Sequence, residues 1–181
     1  MGKEFIKYES PNLDSACENL ILQGAEKALE GLSQMRVIEG KTLQNNLESL
    51  VSFIRKNIDT IRLRRPKVLI EYQEKLKERV KVLSDGLELD DFRLFQETAI
   101  LADRSDISEE LTRLDSHLSQ FIELTRNTRS PAGRKLEFIV QEVNRETNTI
   151  GSKSNDFEVS QAVIEIKSTL EKIREQLQNI E

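Results

Sequence analysis

Apolar residues recur along this chain at steps of three and four almost from end to end. Cys17, Ile21, Ala25 or Ala28, Leu32 and Met35, then Leu43, Leu47, Leu50, Ile54, Ile58 and Ile61, mark one face of a helix that begins near residue 13. The pattern predicts one very long helix or two nearly collinear ones, with Gly40 as the break. Pro66 closes the run, because a proline pushes the residue before it, Arg65, out of helical conformation. A second helix starts at Pro66, a residue suited to a first turn, and carries Leu69, Tyr72, Leu76, Val80 and Leu83 to a stop at Gly86.

A shorter helix spans roughly Asp90 to Ala102, with Phe92, Phe95, Ala99 and Ala102 inward. Asp106 followed by Glu109 resembles a capping box, opening a helix that carries Ile107, Leu111, Leu114, Leu118 and Phe121. Ser130 and Pro131 start the next, with core line Leu136, Ile139 or Val140, Val143, Thr147 and Ile150, and with Gly151 as terminator. The last helix runs from about Phe157 with the seam Val163, Ile166, Leu170, Ile173, Leu177 and Ile180. Such narrow seams need partners. The expected fold is therefore all-α, with long antiparallel helices forming helical hairpins in a bundle, coiled-coil-like and oligomeric. The expected organisation is a lead-in segment 1–12, a long helical hairpin over 13–88 and a C-terminal helical domain over 89–181.

Composition narrows the function classes. A third of the 181 residues are charged, tryptophan is absent and only three are proline, which suits charge-laced helices. The net charge of −5 excludes a uniformly basic nucleic-acid binder, so a polyanion site has to be local. The single cysteine, Cys17, cannot pair internally, and its place beside Leu20, Ile21 and Gly24 predicts an inert buried thiol. No secretory signal or membrane span is visible, and Ile6 stands where a myristoylation motif needs serine or threonine. The expectation is a cytoplasmic chain without membrane contact.

Candidate chemistry gathers in "GRKLEFIVQEVNRETNTIGSKSND", residues 133–156. With its core line inward, Arg134, Gln141, Arg145, Asn148 and Ser152 share one flank, and Lys135, Glu142, Glu146, Thr149 and Lys153 the next. Glu142 and Glu146, one turn apart, can approach a common point as two oxygen donors to Mg²⁺ or Mn²⁺ would, although such pairs are also common on solvated helices. Residues 126–153 hold six basic side chains against three acidic ones, a patch suited to phosphates. A second cluster, "RLRRPK" at 62–67, sits at the expected helix-to-helix turn, where cations satisfy a helix dipole. His117, the only histidine, follows Arg113 by one turn and Glu110 by two. It is either a structural side chain or a general acid or base oriented by a carboxylate. One histidine cannot build a paired-histidine ribonuclease site within the chain, so phosphodiester cleavage here would call for divalent ions. Glycine-rich phosphate loops, nucleophile elbows and cysteine-histidine metal patterns are absent.

Three stretches add a resemblance: "QETAILADRSDISEELTRLDSHLSQF" (96–121), the 133–156 stretch and "EIKSTLEKIREQLQNIE" (165–181) closely resemble the C-terminal region of the YicC/YloC family of bacterial proteins. "MRVIEG" (35–40) looks like that family's helical middle, so the resemblance extends from about residue 13 to the end. It implies an endoribonuclease that needs a divalent cation, Mn²⁺ or Mg²⁺, acts on RNA and assembles as a homo-oligomer, a hexamer, in a family formerly grouped as stress-induced proteins. The family's further N-terminal region, with its "MTGFG"-like start, is missing, which implies a truncated form or fragment. Val143 stands where family sequences usually carry methionine.

Combined with that resemblance, the polar residues take roles. Glu142 and Glu146, with Glu109 or Glu110, are candidates to hold the metal; Arg134, Lys135, Arg145 and Lys153 to bind RNA phosphates; His117 to orient a metal-bound water or the leaving group. The same residues could instead form helix-to-helix salt bridges. Three readings therefore stand: a divalent-metal-dependent endoribonuclease cleaving single-stranded RNA, a non-catalytic RNA-binding or oligomerisation module, and a purely structural helical assembly protein.

Overall fold

The computed structural model describes residues 14–83, 91–127 and 133–178. Among these residues there is no strand, and the helices are α1 (Ser15–Leu83), α2 (Asp91–Arg104), α3 (Ser108–Arg126), α4 (Gly133–Lys153) and α5 (Phe157–Leu177). The expected all-α class holds, with antiparallel hairpins made by α3, α4 and α5, whereas the long hairpin expected over 13–88 is instead the single continuous helix α1. The lead-in segment 1–12, the stop at Gly86, Arg129, the start signals Ser130 and Pro131, and Ile180 lie outside the described residues, as do the side chains of Leu83 and Phe92.

The chain divides into two compact units, Met1–Thr42 and Leu43–Glu181. In the first, residues 15–42 are helical, and all of 14–42 are exposed. Leu20, Ile21, Leu32 and Met35 carry the expected stripe but bury nothing, because a single helix has no second described element of that unit to pack against. Cys17 is exposed as well, which corrects the expectation of a buried thiol.

The second unit holds the core. Leu47, Val51, Ile54, Ile58 and Ile61 of α1 join Leu114 and Phe121 of α3, Val140 and Ile150 of α4, and Ile166 and Leu170 of α5 in one buried cluster. The predicted core lines of α3, α4 and α5 are the ones that bury. α3 and α4 form one antiparallel hairpin, shown by Lys153 at the end of α4 meeting Glu110 at the start of α3. α1 also runs antiparallel to α3: Arg126 Nε reaches Glu48 at 2.9 Å, Arg62 Nη2 reaches Asp115 at 2.8 Å, and Arg65 Nη2 reaches Asp106 at 2.6 Å.

Local signals misplace three boundaries. α1 runs through Gly40 and through Pro66, where a second helix was expected to start. An internal proline costs about 3 kcal/mol. Arg64, two residues before the proline, pairs with Glu71, five residues after it, at 2.6 Å, a link across Pro66 that the continuous helix makes. Arg62, Arg64 and Arg65 then fasten the helix to α3 and to the α4–α5 turn just before Pro66. "RLRRPK" is thus mid-helix, with no helix end for its cations to satisfy. At α3 the expected capping box does not form: the N-cap is Ile107, Asp106 accepts from the Ser108 N–H two residues on at 2.8 Å, and Glu109 turns away to Arg113 at 2.7 Å. At the end of α4, Gly151 does not terminate the helix, which continues to Lys153. Its missing side chain lets α5 approach, since a Cβ there would lie 3.2 Å from Val163 Cγ1.

α2 departs in which residues face inward. Phe95 and Ala99, expected inward, are exposed. Leu101, in the last turn of α2, lines a cleft together with Val68, Leu69 and Tyr72 of α1.

Candidate functional site

Helical spacing puts Glu110, Arg113 and His117 along one face of α3, and Glu142, Glu146 and Lys153 along the facing flank of α4. The antiparallel hairpin interleaves them. Lys153 Nζ donates to Glu110 Oε1 at 2.7 Å and to the Asp106 carbonyl at 2.9 Å. Arg113 Nε meets Glu146 Oε1 at 2.9 Å, while its Nη1 donates to Glu109 at 2.7 Å. Four of the expected site residues, Glu109, Glu110, Glu146 and Lys153, therefore converge around Arg113.

Burial sets the electrostatics. Glu110 and Glu146 are buried, unusual for carboxylates unless they are paired. Burial pushes the Glu110 carboxyl up, but the Lys153 hydrogen bond, its own backbone N–H and the charges of Lys153 and Arg113 hold it below the ordinary value. Glu110 Oε2 is buried without a hydrogen-bond partner. Desolvation works against the Arg113 charge, yet Glu146, then Glu109 and Glu110, raise its pKa above that of an ordinary arginine.

The other expected residues lie apart from this cluster. Glu142 is half-buried and accepts from Arg145 Nη1 at 3.3 Å. His117 is half-buried and has no polar partner among the described residues. The register set by Arg113 and Glu146 carries on by one turn to place His117 level with Glu142. Arg134 and Lys135 are exposed at the opposite end of α4 and have no ion-pair partner among the described residues. Eighteen residues of helix separate Lys135 from Lys153, about 27 Å at 1.5 Å per residue. The four candidate phosphate ligands are therefore strung along α4 rather than gathered at one point.

Among the described residues no group of three or more His, Cys, Asp or Glu is placed to hold a metal ion. The donors that fit are fewer. Glu146 Oε1 is taken by Arg113, and Glu142 stands one turn before it on the same flank of α4. Mg²⁺ is commonly bound by one or two carboxylates, with water and substrate phosphate completing its shell.

A second network was not foreseen. Arg64 Nε and Nη2 make a two-pronged pair with Asp156, the N-cap of α5, at 3.2 and 2.8 Å, while Nη1 and Nη2 reach Glu71 at 2.6 and 2.7 Å. Glu71 first, then Asp156, raise the Arg64 pKa. Arg64 and the Val159 N–H hold the Asp156 carboxyl low. "SND" before Phe157 could have signalled that cap. Its arginine partner, 92 positions away, has no local signal.

Comparison with known proteins places this geometry. A family described as "Endoribonuclease YicC-like, C-terminal" matches residues 61–181, which contain the whole cluster. "Probable endoribonuclease YicC" of Clostridioides difficile is 44% identical over 180 residues, covering 98% of this chain and 61% of the relative. The "Probable endoribonuclease YicC" of Haemophilus influenzae is 34% identical over 176 residues, covering 97% of this chain and 60% of the relative. The chain belongs to the YicC-like family, and it spans about three fifths of the length of these curated relatives.

Proposed function

We propose that this member of the YicC-like family acts on single-stranded RNA as a divalent-metal-dependent endoribonuclease, with the α3–α4 charge cluster as its working surface. The observation that carries the reading is that cluster: buried carboxylates Glu110 and Glu146, interleaved with Arg113 and Lys153, inside the family-matched segment. The relatives' printed names support the activity class. Glu142 and Glu146 would hold the cation, with Glu109 and Glu110 nearest in reserve. When bound, Mn²⁺ or Mg²⁺ would activate water and stabilise the leaving oxygen.

The chain's own residues do the rest. Arg113 holds Glu146 in place, and Lys153 pairs with Glu110 and keeps that carboxylate charged despite burial. Arg134, Lys135 and Arg145, exposed along α4, would position phosphates without reading sequence. His117, level with Glu142, would move or hold a proton at the leaving oxygen. The exposed apolar stripe of residues 14–42 suits assembly into a homo-oligomer, with a hexamer as the expected form.

The test is incubation of the purified chain with labelled single-stranded RNA in Mn²⁺, Mg²⁺ or EDTA, with Glu142→Gln and Glu146→Gln alongside. Metal-dependent cleavage lost in the variants supports the reading; cleavage unchanged in both variants removes the metal assignment. A second reading is favoured by the two fifths of the relatives that this chain does not span. In that reading the chain binds RNA and assembles but does not cut. RNA that is bound in a salt-sensitive way and left intact would establish it.

A further inference from the structure

A cleft of about 180 Å³ opens where α1 beyond Pro66, the last turn of α2 and the α4–α5 turn meet. Its size limits the ligand. A cavity of about 150 Å³ takes up one benzene ring. Sites for drug-sized molecules run from about 300 Å³ upward. The space therefore suits one planar ring system.

The lining narrows the chemistry. Leu69, Leu101 and Val159 supply apolar wall. Most polar lining groups are occupied by the fold: Arg65 by Asp106 and Ser108, Lys153 by Glu110, Asp156 by Arg64, and the Ser105 hydroxyl by the Leu101 carbonyl. Three are not. The Tyr72 hydroxyl and the Asn155 amide have no partner among the described residues, and the Lys75 ammonium has only attraction through space to Glu71. An aromatic ring, an amide carrying a donor and an acceptor, and a spare cation together match a base with its attached phosphate. Lys153 belongs to both the cleft and the α3–α4 cluster, so a strand lying on the cluster passes the cleft mouth.

We propose that this cleft receives one unstacked nucleobase of a single-stranded RNA, its ring against Tyr72, its edge toward Asn155 and its phosphate toward Lys75. The proposal rests on the RNA reading above and deepens it by giving the strand a fixed position.

The probes are uridine and adenosine 5′-monophosphate, with ribose 5-phosphate as the baseless control, titrated into the isotope-labelled full chain and followed by NMR. The nucleotides should shift Tyr72 and Asn155 saturably, and ribose 5-phosphate should leave both in place. Tyr72→Ala should weaken nucleotide binding at least about fivefold, the low end of one base–aromatic stack, while Tyr72→Phe retains it. Equal shifts from ribose 5-phosphate, or nucleotides that leave the cleft residues unmoved, would overturn the proposal on the unmutated chain alone. RNA cleavage by the same preparation separates the two readings. Base binding without cleavage keeps the cleft and sinks the catalytic role; cleavage with a silent cleft does the reverse.

Discussion

Lys153, the last residue of α4, donates a 2.7 Å hydrogen bond to Glu110 in the first turn of α3, a carboxylate only 4% exposed whose second oxygen has no partner. One ammonium thus sustains a buried charge across the hairpin. Lys153→Met should destabilise the fold by about 1–3 kcal/mol, because it strands the carboxylate. Adding Glu110→Leu should recover most of that loss, since removing both partners avoids the unpaired charge. Urea unfolding of both single variants and the double variant measures the coupling.

Acid should loosen the α1–α5 link. The Arg64 guanidinium first, against the opposing effect of burial and with help from the Val159 N–H, holds the folded Asp156 pKa below its unfolded value. Its stabilisation is therefore complete above the unfolded pKa and is lost as pH falls through the folded one. Glu71, Asp106 and Glu110 are lowered as well, so they add to the same acid limb. Asp156→Asn should flatten the fall in Tm below about pH 4 and leave a lower, less pH-dependent Tm at neutrality.

Gly151→Leu should cost about 1–3 kcal/mol by forcing α4 from α5, since even a bare Cβ would sit 3.2 Å from Val163 Cγ1. Val163→Ala should restore part of the loss. Thermal melts of the three variants decide it; an unchanged Tm for Gly151→Leu would mean that the hairpin does not pack this closely.

Charge reversal along α4 should separate binding from folding. Arg134 and Lys135 are exposed and support no ion pair among the described residues, so Arg134→Glu with Lys135→Glu should leave Tm within about 0.5 kcal/mol equivalent. RNA affinity should fall, and the salt slope should shrink by about one for each phosphate contact removed. A full slope in the double variant would move the contacts elsewhere.

In dilute, monomeric chain Cys17 should react with a maleimide as fast as in urea, because its helix face is open, and assembly through that stripe should slow the reaction. Protection of tenfold or more would show that another chain or segment covers the Cys17, Ile21 and Met35 stripe in solution.

Much of this protein was legible in its residue order. Period and cap residues are local, so the core lines through Leu114, Val143 and Ile166 and the antiparallel pairing of α3, α4 and α5 could be read directly. The two flanks of α4 were legible for the same reason, as was the family, whose motifs are contiguous. Tertiary structure alone decided the rest. Pro66 sits inside α1, with Arg64 before it paired to Glu71 after it, and Phe95 is exposed although the helical period turns it inward. Glu146 answers to Arg113 and Asp156 to Arg64 because helices from distant parts of the chain meet there. Helical period tells which side of a helix a charge occupies; only packing brings its partner, since the dominant energy of pairing depends on distance and burial across elements.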